Sequence, residues 1–411
     1  MTHLFHKLPF HYGWAIVFTG TLILFACLGL ARFAYGMLLP AMRAGLGLNY
    51  DQIGFISTGN FAGYLIAVIA APALIRRFQP RITIVGGLLL IALCMLGISR
   101  SGSFEAVLVL YAVIGVGSGF ALIPAVVLIS HWFRPAHRGL ATGLMFMGIG
   151  AATIFAGVYI PTLDGEQSTA GWRSGWLILG LITLVIALIS ALLLRNDPAE
   201  SGRAPFGQKQ HLPSGKNASR EKSGKERVLV HLGLLHFLFG ITYIVYGTFI
   251  VTTMVEELSF PEARAGLFWA GVGFFSIFSG VGFGLLSDRI SRRGGLAAVF
   301  LVQTASYLLA GLASGSPVLL FLSVVLYGLS VWAVPTIMAA AVSDHFGVSR
   351  AARAFSAVTL FFAVGQTLST GAAGLIGEAT GSFTSAYLAS ASLTAVAFVL
   401  AVLLPRASAC R

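Results

Sequence analysis

Charge is scarce in this sequence: 10% of the 411 residues are Asp, Glu, Lys or Arg, against 57% hydrophobic residues. A water-soluble domain carries about 25% charged residues. A deficit this deep leaves too little polar surface to cover a globule in water, so the apolar surface must face lipid. Acidic residues are the scarcer sign, 14 against 26 basic, and none falls in the middle of an apolar run. The three cysteines, Cys27, Cys94 and Cys410, are scattered without metal or redox spacing, which excludes a disulfide framework. No nucleophile–base pair, metal cluster or phosphate-binding loop is visible, so neither an enzyme nor a resident cofactor is expected. A cleavable leader is not expected either, because the first apolar run, Tyr12 to Pro40, far exceeds the roughly 7–15 apolar residues of a signal peptide.

Long apolar runs dominate what is present. A helix needs about 20 apolar residues to cross the hydrocarbon core, and a barrel would show alternating segments of about ten. These runs are longer and continuous, so an all-α integral membrane protein with twelve transmembrane helices is expected. Spans are placed near 12–40, 51–75, 82–99, 104–131, 138–161 and 172–194. Six more lie near 229–255, 263–287, 295–313, 317–343, 351–377 and 382–404. The 49 glycines suit close helix packing where lipid supplies no hydrophobic drive. Between the two sets lies a polar stretch with eight basic and four acidic residues. That composition buries no core. It divides the chain into an N-terminal six-helix bundle (1–194), a flexible linker (195–227) and a C-terminal six-helix bundle (228–411). Asn217-Ala-Ser219 is formally a glycosylation sequon, discounted because the loop is expected to be cytoplasmic.

A net charge of +12 would suggest nucleic acid in a soluble protein, but here the charges lie between the apolar runs. With both termini on the cytoplasmic side, 21 Lys and Arg fall on inner segments and four (Arg43, Arg100, Arg173 and Arg264) on outer ones. That is the positive-inside pattern. A multi-pass protein of a bacterial inner membrane is expected, monomeric, with lipid and a small solute as its partners and no nucleic acid.

The two halves repeat weakly, at an offset a little over 210 residues. Pro124, His131-Trp-Phe133 and Arg138 in the first are followed in the same order by Pro335, His345-Phe346 and Arg353 in the second. Between the eighth and ninth spans the chain reads Gly284-Leu-Leu-Ser-Asp288-Arg289-Ile-Ser-Arg292-Arg293. This resembles the cytoplasmic signature Gly-x-x-x-Asp-Arg-x-Gly-Arg-Arg of the major facilitator superfamily, with Ser291 where the pattern has Gly. Gly284 would permit close helix contact, and Asp288 would accept hydrogen bonds from the next helix's N-terminus, where the macrodipole favours an anion. The corresponding first-half loop, with Arg76, Arg77 and Arg81, lacks the Asp. Gly171-Trp-Arg173 is similar to another recurrent family feature. Gly29-Leu-Ala-Arg32-Phe33-Ala-Tyr35-Gly36 with Asn60-Phe-Ala-Gly63-Tyr64 resembles the YbfB/YjiJ-type bacterial branch, and His11-Tyr12-Gly13-Trp14 is similar to monocarboxylate-transporter relatives. The resemblance implies two pseudo-symmetric six-helix bundles that rock about a central site, and a signature loop (Gly284, Asp288, Arg289, Arg292, Arg293) that breaks and reforms as they do. The span-five antiporter signature of the family is missing.

In that family, spans one, four, seven and ten line the cavity. Arg32 is the one charged residue well inside a span, where a charge costs about 2.5–3.5 kcal/mol. It must face a wet cavity or a partner: it could grip an anionic group bidentately or serve structure by bonding carbonyls of a neighbouring helix. Tyr35 shares its face. His236 is a candidate proton carrier, its type titrating near neutrality, or else a packing residue. Tyr243, Tyr246, Asn60, Tyr64, Trp269, Tyr327, Trp332 and Gln366 are the other candidates, each equally able to pack between helices. A carboxylate-free interior with one arginine points to secondary active transport of a small organic anion such as a monocarboxylate. The alternative is proton-driven efflux of hydrophobic drugs or metabolites; a membrane sensor or enzyme is the remote third reading.

Overall fold

The structure, a computed structural model, describes residues 11–163, 171–201, 204–207, 223–313 and 316–405. Most of the proposed linker, its sequon, Lys7, Arg406, Cys410 and Arg411 lie outside these residues. Among the described residues regular structure is helical, apart from one isolated bridge between Phe133 and Phe206. Eleven helices are long and apolar enough to cross a membrane. One of them, Tyr50–Ser99, has 50 residues and would be about 75 Å long if straight, more than twice the hydrocarbon thickness. It breaks at Gln79, whose φ of 66° and ψ of 160° are not helical. Before the break, Asn60 and Ala67 approach Gly115 and Gly119; after it, Gly87 and Gly97 approach Gly117 and Leu110. The chain therefore runs first parallel and then antiparallel to the same neighbour, giving two spans and twelve in all.

These are α1 (Gly13–Leu46), α2 (50–78) and α3 (80–99), α4 (Phe104–Trp132), α5 (Pro135–Tyr159) and α6 (Gly171–Leu193). After the linker come α7 (Ser223–Thr252, extended by a π turn Thr253–Glu257), α8 (Glu262–Ile290) and α9 (Arg292–Leu312). Last are α10 (Pro317–Phe346), α11 (Val348–Thr380) and α12 (Thr384–Leu403). The first span runs past Pro40, where sequence reading ended it, to a left-handed Gly47 with φ of 65°. Glycine closes helices in this conformation because it has no Cβ to clash. The added turn carries Arg43.

The repeat is visible in geometry. His131, ending α4, pairs a ring nitrogen with the carbonyl of Asn196 at 3.2 Å, and His345, ending α10, does so with Pro405 at 3.0 Å. Each carbonyl lies just past the last helix of its own set of six.

An even number of spans returns the chain to the side it started from, called here the basic face for its arginines. The first six spans meet the last six through α2 on α11, α5 on α8 and α1 on α7. Glycine permits these approaches. A Cβ on Gly54 would meet the Thr370 carbonyl at 2.6 Å, one on Gly157 the Gly266 carbonyl at 2.4 Å, and one on Gly36 the Gly247 carbonyl at 2.8 Å. Polar contacts between the two sets cluster toward the opposite face. They join Arg43 to Glu256, Tyr50 to Glu256 and Glu378, and Thr58 to Thr370. On that side the molecule is closed.

Candidate solute-binding site

Arg32 lies in a nine-residue π-helical stretch, Phe25–Phe33, inside α1. A π turn shifts the hydrogen bonds to i→i+5 and often marks a functional position. The residue is 8% exposed. Its guanidinium carbon lies 4.6 Å from the centre of the Phe61 ring and 4.9 Å from that of Tyr64. Its Nε and Nη2 have no hydrogen-bond partner. The acid–base pairs among the described residues are Arg43–Glu256, Arg292–Asp288 and Arg292–Asp344, all near the ends of the helices. Ring faces offset about 2 kcal/mol of the cost of a desolvated cation but leave its N–H groups unspent.

From the other six spans, the Tyr243 hydroxyl approaches the same guanidinium. It donates to Gln366 Oε1 at 2.9 Å, while Gln366 Nε2 has no partner. Tyr327 donates to the Tyr243 carbonyl at 2.7 Å and fixes that turn of α7. Trp332, at the break in α10, has ring centres 5.6 Å from Phe33 and 6.4 Å from Tyr243 and from Phe146. Trp269 is buried 6.4 Å from Phe33, its indole N–H unpartnered. Arg32, Tyr64, Tyr243, Trp269, Trp332 and Gln366 thus form one constellation across both sets of spans. Its fully buried atoms without a partner among the described residues, on Arg32, Gln366 and Trp269, are all donors.

Other candidates turn elsewhere. Tyr35 donates to the Ile53 carbonyl at 3.1 Å and lies 4.7 Å from the Tyr111 ring. Asn60 donates to the Tyr111 carbonyl at 2.9 Å, joining α2 to α4. Tyr246 pairs with Ser323 at 2.9 Å and stacks on Tyr327 at 4.2 Å, inside the last six spans. His236 is buried and stacks on Phe362 at 4.9 Å, close to the Val358 backbone one turn before it. Phe239 and Phe362 continue that stack to Tyr243. Sequence reading missed Phe33, Phe61, Phe146 and Phe362, since nothing distinguishes these from the other phenylalanines in a chain of 31.

The signature loop differs in detail from its expected chemistry. Asp288 does not cap α9. It pairs with Arg292, which also donates to Asp344 at 2.8 Å and Ser287 at 3.0 Å. The Ser291 hydroxyl accepts from Gly294 N at 3.1 Å and supplies the cap instead. An N-cap serine reaches the first free amides directly, leaving the carboxylate, one turn back, for the guanidinium. Gly284 is loosely surrounded, a Cβ there meeting only the Thr336 methyl at 3.6 Å. Arg289 is exposed and Arg293 half-buried on the basic face. Ser291 has φ of 144° and ψ of 160°, a region essentially reserved for glycine. The structure thus retains the backbone shape of the pattern's Gly without its residue. Arg173, in the Gly171-Trp-Arg sequence, donates to the Ser101 carbonyl and lies over Trp172 at 4.3 Å.

The chain matches the family described as "Uncharacterised MFS-type transporter YbfB" over residues 24–404. It belongs to that family. It is therefore a multi-pass major facilitator transporter and not an enzyme. The fold agrees: a bacterial homologue of the human lysosomal transporter Spinster, inward-facing and occupied, superposes with a TM-score of 0.72 at 15% identity, over 97% of both chains. The nucleoside transporter NupG gives 0.72 at 12% identity, over 95% of this chain and 99% of that one. Among curated relatives, "Probable sulfoacetate transporter SauU" of Cupriavidus necator is 24% identical over 62% of this chain and 60% of its own length. Human monocarboxylate transporter 2 is 25% identical over 85% of this chain and 77% of its own. The 4-hydroxybenzoate transporter PcaK of Pseudomonas aeruginosa is 24% identical over 78% and 76%.

Proposed function

We propose that this transporter carries a small organic anion by alternating access, with Arg32 gripping its carboxylate or sulfonate. The observation that carries this reading is a buried guanidinium whose Nε and Nη2 are unspent and which has no acidic partner among the described residues. Burying an unpaired charge is costly, and an anionic solute would supply the missing partner. Gln366 Nε2 and the Trp269 indole N–H would donate to its remaining oxygens, and Tyr243 would tie the grip to α7. The names of three relatives, which concern sulfoacetate, monocarboxylates and 4-hydroxybenzoate, support the same class. By the positive-inside rule the basic face would be cytoplasmic, in a bacterial inner membrane. The described conformation would then be the one closed to the outside.

The rings around Arg32 favour one rival, export of hydrophobic drugs or metabolites. A thermal-shift screen of detergent-purified protein separates the two, because a ligand bound to the folded state raises apparent stability by mass action. Stabilisation by small carboxylates or sulfonates, lost in Arg32→Gln, is expected. Stabilisation only by hydrophobic cations, unchanged in Arg32→Gln, would overturn the anion reading in favour of export.

A further inference from the structure

Four side chains near the opposite face do something that neither the signature loop nor the central constellation accounts for. Arg43, in the last turn of α1, donates to Glu256 of the α7 π turn at 2.7 Å, and both are partly buried. Tyr50, opening α2, donates its hydroxyl to the same carboxylate oxygen at 2.9 Å. The Arg43 guanidinium lies over the Tyr50 ring at 4.1 Å, so the two arrive as a unit. Glu378, near the end of α11, accepts from the Tyr50 backbone N–H at 2.9 Å, in the first turn of α2, where the helix dipole favours an anion. Each of these bonds to a carboxylate crosses from the first six spans to the last six.

The neighbouring Glu257 is the internal control. It accepts from Ser382 Oγ at 2.6 Å and Phe383 N at 3.0 Å, both within the last six spans. Two consecutive acids on one π turn are thus divided, one spent on its own bundle and one across the interface. Beneath them, a Cβ on Gly54 would stand 3.0 Å from the Gly374 Cα, and Thr58 meets Thr370 at 3.2 Å. The glycines allow the helices to close but carry no directional bond. The charged group supplies one, and it forms only when they are closed.

We infer that Arg43, Tyr50, Glu256 and Glu378 form the latch that holds the opposite-face gate shut and releases it once per cycle. The inference rests on the alternating-access reading. The latch is polar and partly exposed, so water replaces its bonds when the gate opens. Such a contact biases the equilibrium while leaving the gate reversible.

The test uses full-length protein with Cys27, Cys94 and Cys410 replaced by serine and Thr58→Cys as reporter. A membrane-impermeant maleimide is applied from the opposite face of oriented vesicles. In the otherwise native background the reporter should label slowly. Glu256→Gln and Arg43→Gln should each raise the rate at least about fivefold, the size of a modest coupling. The reversed pair Arg43→Glu with Glu256→Arg should restore slow labelling, which a misfolded protein would not do. Glu257→Gln should leave the rate near the parent's. Equal rates in the parent, both single variants and the reversed pair would overturn the latch. Labelling needs no solute, so a failure of the anion reading in flux or thermal shift would be seen separately.

Discussion

The first six spans and the last six share a plan but not an interior. The first six bring one cation to the middle, Arg32, held between the rings of Phe61 and Tyr64. The last six bring neutral donors and rings, Tyr243, Gln366, Trp269 and Trp332, with the amide of Gln366 and the indole of Trp269 unspent. Their turns at the basic face diverge in the same way. In the second set Arg292 ties Asp288 to Asp344. In the first, Asn196 bridges the Gln79 side chain and the Arg81 amide at 2.9 Å each, with no ion pair. Yet Gln79 and Ser291 both take a positive φ, 66° and 144°. The repeat has kept backbone geometry and let chemistry drift, placing the buried cation in one set of spans and neutral unpartnered donors in the other.

The largest test of that division is Arg32→Gln. Charge-assisted hydrogen bonds contribute about 1.5–3 kcal/mol each, so binding of the anion found by thermal shift should weaken roughly ten- to a hundredfold, read by titration calorimetry. Next in size is closure. Gly157→Ala adds a Cβ where the Gly266 carbonyl stands 2.4 Å away. Overpacking costs about 1–3 kcal/mol, so Thr58→Cys labelling from the opposite face should accelerate in that variant. Tyr243→Phe removes one neutral bond, worth about 0.5–1.5 kcal/mol, and affinity should fall a few-fold. Tyr246→Phe should leave affinity unchanged in the same titration, because that hydroxyl is spent on Ser323. A separate test, on stability and not on affinity, is at the turns. Ser291→Gly relieves a backbone conformation costing about 1–3 kcal/mol and loses a few tenths for the cap. The variant should melt at a higher temperature, and Gln79→Gly should do the same, losing no cap but one exposed bond from Asn196.

Much of the fold was legible because hydropathy reports lipid contact directly. Span boundaries slipped where a local signal misled. Pro40 reads as a stop, yet the helix carries it for another turn. The candidate site was legible only where polarity stands out against hydrocarbon. Arg32, Tyr64, Tyr243, Trp269, Trp332 and Gln366 do converge. Tyr35, Asn60 and Tyr246 were equally visible but turn their hydrogen bonds to neighbouring helices, and a sequence cannot say toward which neighbour a side chain turns. The π stretch around Arg32 rephases that face and has no simple sequence mark. The Arg43–Glu256 pair joins residues far apart in the chain, so nothing local announces it.

The most direct measurement is uptake into proteoliposomes of the anion selected by thermal shift, comparing the parent protein with Arg32→Gln at matched incorporation. The account predicts saturable uptake by the parent and near-loss of it in the variant, with the melting profile in the absence of solute retained. Undiminished saturable uptake by Arg32→Gln would contradict it.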